Sequence, residues 1–551
     1  MKHRIWSIAV ALGLLLATVV PVSAAGDGII TRDDAGTYLR YDGGTDATLQ
    51  GCSTGRRVQN EPSVAIDPSD TDVIVAGAND YCAQTVDGDV WAGYYRSTDG
   101  ASSWRNSLVP GYPGDDSPAG SASPTRGACS AAGDPTQSFD AAGRLFYGFI
   151  CFNRAKPSNG SIYVATYGDH GGSYLRTVRV ARGTPSVAGL FHDKINVVAD
   201  QTDGPYSGNL YVAWVLYRGF SANNVVLVSR STDHGQTFSR PISVSQGLGE
   251  EQFADLAVGP DGSVYLTYRT FDVQGPTSDA IWVTRSTNGG QSFERPRRVA
   301  AIDAFDSDIY GGRACGDGPF ACPTGLTFSR FASLSAVAAD ESGVHVVWNA
   351  RDGDGQARIY AQNLSGDLRA GTAPATLDSV AVGHQWFPDV ASADGVIAVV
   401  FYDSRNDPAY SADRPPGNTS IGVNSGDVVE TRLARSSDGG ATWAEIVLSA
   451  ERSNFGWETG NARRLGFAGD YNYISSVTGA TFAAWTDSRN LVPGSDPRET
   501  GDDSDEDGFD VYQPCVYDPN DIDAATYASP LISDPCLSMG GLDYDIFGAA
   551  P

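Results

Sequence analysis

Ser231-Thr232-Asp233-His234-Gly235-Gln236-Thr237-Phe238 is an octet that this chain repeats. The same pattern returns as Ser97-Thr98-Asp99-Gly100-Ala101-Ser102-Ser103-Trp104, Ser286-Thr287-Asn288-Gly289-Gly290-Gln291-Ser292-Phe293 and Ser436-Ser437-Asp438-Gly439-Gly440-Ala441-Thr442-Trp443. A fifth copy, Tyr167 to Tyr174, has lost the opening Ser. The spacing describes a tight turn between two strands. Asp or Asn accepts backbone N–H bonds across the turn, and Gly supplies the conformation other residues resist. The terminal aromatic folds back into the sheet, worth roughly 1.5–3 kcal/mol when buried. One octet is weak evidence, whereas four flanked by strands mark a repeat architecture.

A second unit accompanies the octets: a short strand of small residues, a turn, then a more hydrophobic strand. Seven first strands are counted, opening near Pro62, Thr136, Ile195, Ala254, Leu334, Asp389 and Tyr473. Second strands such as Leu210-Tyr211-Val212-Ala213-Trp214 follow them. Small residues suit strands crowded around an axis. Pro62 to Tyr473 spans 411 residues over six intervals, about 68 per unit, enough for a four-stranded blade with its loops. The mature chain shows no helix-period stretches. The fold class is therefore all-β, a single β-propeller of four-stranded blades. Seven blades is the count; six or eight stays open because the last unit lacks an octet. The segment around Thr37–Tyr41 is the candidate for its outer strand.

These octets resemble the Asp-box, or bacterial neuraminidase repeat. The layout of Asn60-Glu61-Pro62-Ser63-Val64-Ala65-Ile66-Asp67-Pro68 early, then Gly469-Asp470-Tyr471 and Trp485-Thr486-Asp487-Ser488-Arg489 late, is similar to secreted sialidase-like proteins. The resemblance covers nearly all of the mature chain. It implies the blade turn and is nearly silent about chemistry, since such propellers include sialidases, other glycosidases and non-catalytic receptors. The Arg-Ile-Pro motif of sialidases is absent, and their tyrosine–glutamate pair matches no positions here.

Residues 1–24 read as a signal peptide: Lys2, His3 and Arg4, an apolar run from Ile8 to Val20, then Val22-Ser23-Ala24. The run is too short to span a bilayer comfortably, so residues 25–551 form the secreted, extracellular propeller, expected as a monomer. Eight cysteines without a CxxC pair point to disulfides rather than a metal. Sequence alone does not fix their connectivity; neighbour pairing is the simplest choice. A formal charge of −28 argues against a nucleic-acid partner. Lysine occurs only at Lys2, Lys156 and Lys194.

Topology indicates where chemistry can sit. The octets lie on the bottom face and their Asp residues are structural. First strands start at the top, where they are preceded by Asn60-Glu61, Gly133-Asp134, His192-Asp193-Lys194, Glu251-Gln252, His384-Gln385 and Gly469-Asp470-Tyr471. Carboxylates converging there raise one another's pKa, as acid–base work on a glycosidic bond requires. Asp134, Asp193 and Asp470 are the catalytic candidates, with Lys194 as electrostatic partner and Tyr471 as proton carrier. The competing account has these groups satisfying backbone at the blade entrances, or holding water or a cation in the channel.

Second strands end in a repeated arginine: Arg154, Arg218, Arg269, Arg351, Arg405 and Arg489. Glu61, Arg351, Asp403, Arg405, Asp487 and Arg489 form the candidate substrate-binding set, since guanidinium forks grip carboxylates. Asp–Arg bonding that simply holds the loops would produce the same recurrence. Trp386 and Phe387 offer rings for stacking on a sugar. Asp503, Asp505 and Asp507, followed by Gly508, resemble the start of a calcium loop; a merely solvated acidic loop is the alternative. No organic cofactor is expected. The expected function is a glycoside hydrolase or related carbohydrate-active protein taking an extracellular glycan or another acidic small ligand. A non-catalytic binding propeller is one alternative. A polysaccharide lyase with Tyr471 or His192 as base is the other.

Overall fold

A computed structural model describes residues 26–32, 37–53, 58–83, 89–153, 159–185, 189–219, 224–245, 249–271, 279–305, 331–407, 410, 412, 429–453, 468–490 and 544–551. The signal peptide, the acidic segment with Asp503, Asp505 and Asp507, Arg154, and four of the cysteines (Cys315, Cys322, Cys515 and Cys536) lie outside the described residues.

Each sequence unit becomes an antiparallel sheet. The first blade runs Gln59–Ile66, Ile74–Asp80, Trp91–Ser97 and Arg105–Leu108, each strand paired to the next. The remaining inner strands are Ala131–Phe139, Leu190–Ala199, Glu250–Val258, Ser335–Asp340, Gln385–Ala393 and Tyr473–Val477. Blades two and three are joined at one parallel bridge, Phe191 to Gly160. Consecutive inner strands contact one another in chain order, and the first meets the last. At that junction the Ile66 N–H donates to Ser475 Oγ at 3.2 Å. Seven four-stranded blades thus close into one ring.

Blade seven is composite. Tyr473–Val477 and Ala480–Asp487 are completed by Asp545–Ala549, with Gly28–Ile29 as the outermost strand. The outer strand is therefore N-terminal, as expected in kind, but it is not Thr37–Tyr41. Tyr38 instead bridges Asn106 at the edge of blade one. There its hydroxyl donates to Asp80 at 2.7 Å.

The hydrophobic core lies between blades rather than at the centre. Phe146, Ile162 and Val164 of blade two pack against Ile195, Val212 and Trp214 of blade three. Tyr211, Val226 and Val228 of blade three in turn face Leu256, Val264 and Leu266 of blade four. Gly77 shows how tight this stacking is: a Cβ there would lie 2.2 Å from the Gln137 amide of the next blade. Cys52–Cys82 and Cys129–Cys151 form disulfides, both between sequence neighbours as expected.

The octets join third to fourth strands with one recurring geometry. Asp233 Oδ1 accepts the Thr237 N–H at 2.8 Å and its Oδ2 accepts the Thr237 hydroxyl at 2.6 Å. Asp99 and Asp438 repeat both bonds, and Asn288 accepts the Ser292 N–H. Two successive left-handed residues shape each turn, such as His234 (φ 59°) and Gly235 (φ 75°). Blade five carries a shortened relative, in which Ser365 donates to Asp367 and Leu368 is left-handed.

Candidate functional site

Five inner strands carry the same irregularity at the top. Their register slips between Asn60 and Ser63, Gly133 and Thr136, Asp193 and Asn196, Gln252 and Asp255, and Trp386 and Asp389. Each slip is a β-bulge, which re-aims side chains at a strand end. Each contains one left-handed residue: Glu61 (φ 55°), Asp134 (51°), Lys194 (53°), Phe253 (57°) and Phe387 (52°). Pro62, Pro135 and Pro388 follow three of them, where the slipped register demands no ladder N–H. Blades five and seven bring Leu334 and Tyr471 to the same level, beside Asp134, Lys194 and Phe253 around a small upper cavity of about 80 Å³.

The mouth has two unlike halves. Glu61, Asp134, Lys194 and Tyr471, with Asp470, come from blades one, two, three and seven. Phe253, Leu334 and Pro388 come from blades four, five and six. In the ionic half, the Lys194 ammonium contacts the Asp470 carboxylate directly and lies 4.0 Å from Glu61 Oε1. It also stands 5.0 Å from the centre of the Tyr471 ring. Asn79 donates to Glu61 at 2.6 Å and accepts the Asp134 N–H at 2.8 Å. Burial pushes the Asp134 carboxyl up to about 6, against the pull of Lys194, with Asp193 and Asp470 pushing the same way as burial. Asp193 is likewise raised by burial, Lys194 opposing. Burial and the surrounding carboxylates hold the Tyr471 phenol well above its usual value, so at neutral pH it is a hydrogen-bond donor rather than a base.

The sequence-derived candidates Glu61, Asp134, Asp193, Lys194, Asp470 and Tyr471 therefore come together. Others from the strand entries do not. Glu251 is fully buried and bonded to Ser245 and Asn224. His384 is buried between the rings of Phe305 and Tyr410, and Gln385 donates to Asp378 and Asp403. Phe253 and Phe387 occupy the level that those entry residues were expected to reach. His192 accepts the Trp214 indole N–H at 2.7 Å and is lowered to about 4 by burial. It is a neutral core histidine and no lyase base. Trp386 and Phe387 are buried against Tyr402 rather than offered to a ligand.

The arginines and their acidic neighbours form packed ion networks. Arg405 bonds Asp403 through Nε at 2.8 Å, Asp378 at 2.8 Å and Glu445 at 3.0 Å. Arg489 holds Asp487 and Asp27, both at 2.6 Å, and stacks on the Phe547 ring. Arg351 pairs with Asp303 at 2.8 Å. Arg269 is fully buried, with Asp279 and the Ser333 carbonyl as partners. An acidic ligand would have to displace these carboxylates from Arg405 and Arg489, which with Asp403 and Asp487 hold the blade ends, whereas Arg351 has one more exposed pair with Asp303.

No protein-family model matches the chain, and no curated protein matches it. Among solved structures it is similar to a Hadza microbial sialidase, at 13% identity over 72% of this chain and 70% of the other, with a TM-score of 0.40. It is also similar to the α-L-arabinanase of Penicillium chrysogenum, at 11% identity over 69% and 94%, with a TM-score of 0.41. The α-L-arabinofuranosidase of Fusarium graminearum matches at 11% identity over 63% and 89%, with a TM-score of 0.39. The propeller assignment rests on the strand pairing and ring closure of the chain itself.

Proposed function

We propose that this protein is an extracellular carbohydrate-active propeller that binds a neutral glycan at its upper mouth and hydrolyses it. One observation carries the proposal: an ionic half with a carboxyl poised near pH 6 faces an apolar half across one opening. A sugar has the matching character, with hydroxyl edges for Glu61, Asp134 and Tyr471 and a C–H face for Phe253 and Leu334. Asp134 is suited to protonate a leaving oxygen because it still holds its proton near pH 6. Lys194 favours the ionised forms of Asp470 and Glu61 by sitting beside both. Either ionised group would serve as the partner carboxylate that hydrolysis requires beside the acid Asp134. Four carboxyl groups around one ammonium disfavour a sialic or uronic acid. The two disulfides suit an oxidising compartment.

The test is a screen of neutral and acidic oligosaccharides and chromogenic glycosides against wild type and Asp134→Asn. The expected result is turnover of a neutral glycoside that drops about 10²–10⁴-fold in the variant while binding persists. Unchanged turnover in Asp134→Asn, or a preference for sialosides, refutes the proposal. A non-catalytic sugar-binding propeller is favoured by one feature, the direct Lys194 contact that already engages Asp470. Binding without turnover is its signature.

A further inference from the structure

Below the mouth the tunnel narrows to a waist. Thr136, Asn196, Asp255, Asp389 and Tyr473 line the floor of the upper cavity. The last four also line a lower cavity of about 240 Å³, walled by all seven inner strands. The two waist carboxylates bind neighbouring blades: Asp255 Oδ2 accepts the Val337 N–H and Asp389 Oδ2 accepts the Ile474 N–H, both at 2.7 Å. Asn196 spends both amide hydrogens, one on Asp255 Oδ1 at 2.7 Å and one on Tyr473 Oη at 2.9 Å. Its orientation is fixed, because a flipped amide would turn oxygen against a carboxylate. The result is an Asn196 Oδ1 that is buried with no hydrogen-bond partner in a side chain 7% exposed. Ser335 Oγ, in a residue 3% exposed beside the same cavity, is in the same condition.

The charge balance is equally incomplete. Among the described residues lining either cavity, Lys194 is the only basic one, and it is turned to Asp470 and Glu61. Burial raises Asp255 to about 7, and burial with the charge of Asp255 raises Asp389 well above the ordinary carboxylate range. Two buried carboxylates without a counter-cation, beside unpartnered oxygens, are the donor chemistry of a hard cation. Among the described residues no cluster of three or more His, Cys, Asp or Glu side chains is placed to hold a metal. The set here is mixed, carboxylate with amide and hydroxyl oxygen.

We propose that the tunnel waist is a calcium site, with Asp255, Asp389 and the Asn196 and Ser335 oxygens as ligands. The ion pins blades three, four, five and six across the axis. Its double charge matches the two carboxylates in the ionised form that binds a metal. This site stands independently of catalysis at the mouth.

The test uses the full chain stripped with a chelator and titrated with calcium, reading thermal midpoint and terbium emission excited through tyrosine. The acidic segment is removed as a competitor by the triple variant Asp503→Asn, Asp505→Asn, Asp507→Asn. Calcium is expected to raise the midpoint of wild type and of that triple variant alike. Asp255→Asn and Asp389→Asn each weaken calcium binding at least tenfold. The double variant loses the calcium response while its chelated midpoint equals or exceeds that of chelated wild type, because the repulsion is gone. Tyr473→Phe keeps the calcium shift and loses terbium emission. Equal midpoints of wild type with calcium and with chelator overturn the proposal. So does a full calcium shift in the double variant, or loss of that shift in the triple variant.

Discussion

Replacing Lys194 with Met removes the cation that, among the described residues, faces Glu61, Asp134, Asp193 and Asp470 at the mouth. A charge pair at the 4.0 Å separating Lys194 from Glu61 is worth about 4 kcal/mol at an effective dielectric of 20, and Asp470 is closer still. Relief of the lysine's own desolvation offsets several kcal/mol of this. Removing one partner of a buried pair costs about 3–5 kcal/mol overall. The Lys194 side chain is 13% exposed, which sets the expectation at the lower end, about 3 kcal/mol. The assay is urea unfolding followed by tryptophan fluorescence, for wild type, Lys194→Met and Lys194→Arg, at pH 7.5 and pH 5. The pH dependence has a defined sign. Asp134 titrates at about 6 in the folded protein, above an unbonded Asp, and loses its largest downward influence in the Met variant. An acid whose folded pKa is raised binds protons more tightly when folded, so its penalty is present above that pKa and fades as pH falls. The gap between wild type and Lys194→Met therefore narrows at pH 5, while Lys194→Arg stays near wild type. An unchanged midpoint at pH 7.5, or a gap that widens on acidification, refutes the account of the mouth as a lysine-centred cluster.

Asp233→Ala in an octet should cost about 1 kcal/mol, discounted for the exposure of this turn, and leave glycan binding untouched. Asp233 is lowered to about 2 by hydrogen bonds from Thr237 and Ser231 that outweigh its burial. Its contribution is thus present above the unfolded carboxylate range and lost as pH falls through about 2, so the difference in acid-unfolding curves should vanish there. Asp233→Asn should behave nearly as wild type, since Asn288 fills the same place in blade four. Opening the Cys129–Cys151 disulfide, which spans 22 residues, should cost about 3 kcal/mol. A Cys129→Ser, Cys151→Ser variant with the same thermal midpoint as wild type would refute that.

The blade was legible in the sequence because it repeats: octet, small strand and hydrophobic strand recur at one period, and periodicity survives the absence of any alignment. Blade seven was only partly legible. Its third strand, Asp545–Ala549, follows a long stretch with no repeat signal, and its outer strand is two residues, Gly28–Ile29. The mouth was legible from topology, which put Glu61, Asp134, Lys194 and Asp470 at one end of the axis. It was misread in blades four and six because there the left-handed bulge position falls on Phe253 and Phe387, one to three residues after the polar Glu251–Gln252 and His384–Gln385 that drew the reading. The recurring arginines were visible, but recurrence itself signals a structural role, and Arg405 and Arg489 hold the blade end in the same way in two blades. The waist was invisible, since Asn196, Asp255 and Asp389 sit inside strands whose inward direction depends on those same bulges.

The five bulges also explain how the mouth is held. A left-handed backbone costs a residue other than glycine roughly 1–2 kcal/mol, and glycine would satisfy the geometry without it. Glu61, Asp134, Lys194, Phe253 and Phe387 stand there instead, so the chain tolerates strain in exchange for side chains at those positions. The offset is visible at three of them: Asn79 bonds Glu61, Asp470 meets Lys194, and Tyr402 packs against Phe387. Rigid backbone on a closed ring leaves these groups little freedom to reorganise, which is the condition under which placed carboxyls act most strongly on a bound substrate. Blades five and seven carry no left-handed residue other than glycine at this level and supply Leu334 and Tyr471 instead. Sevenfold repetition is broken at the mouth, and it is that asymmetry, acidic on one side and apolar on the other, that lets a repeated fold orient a single ligand.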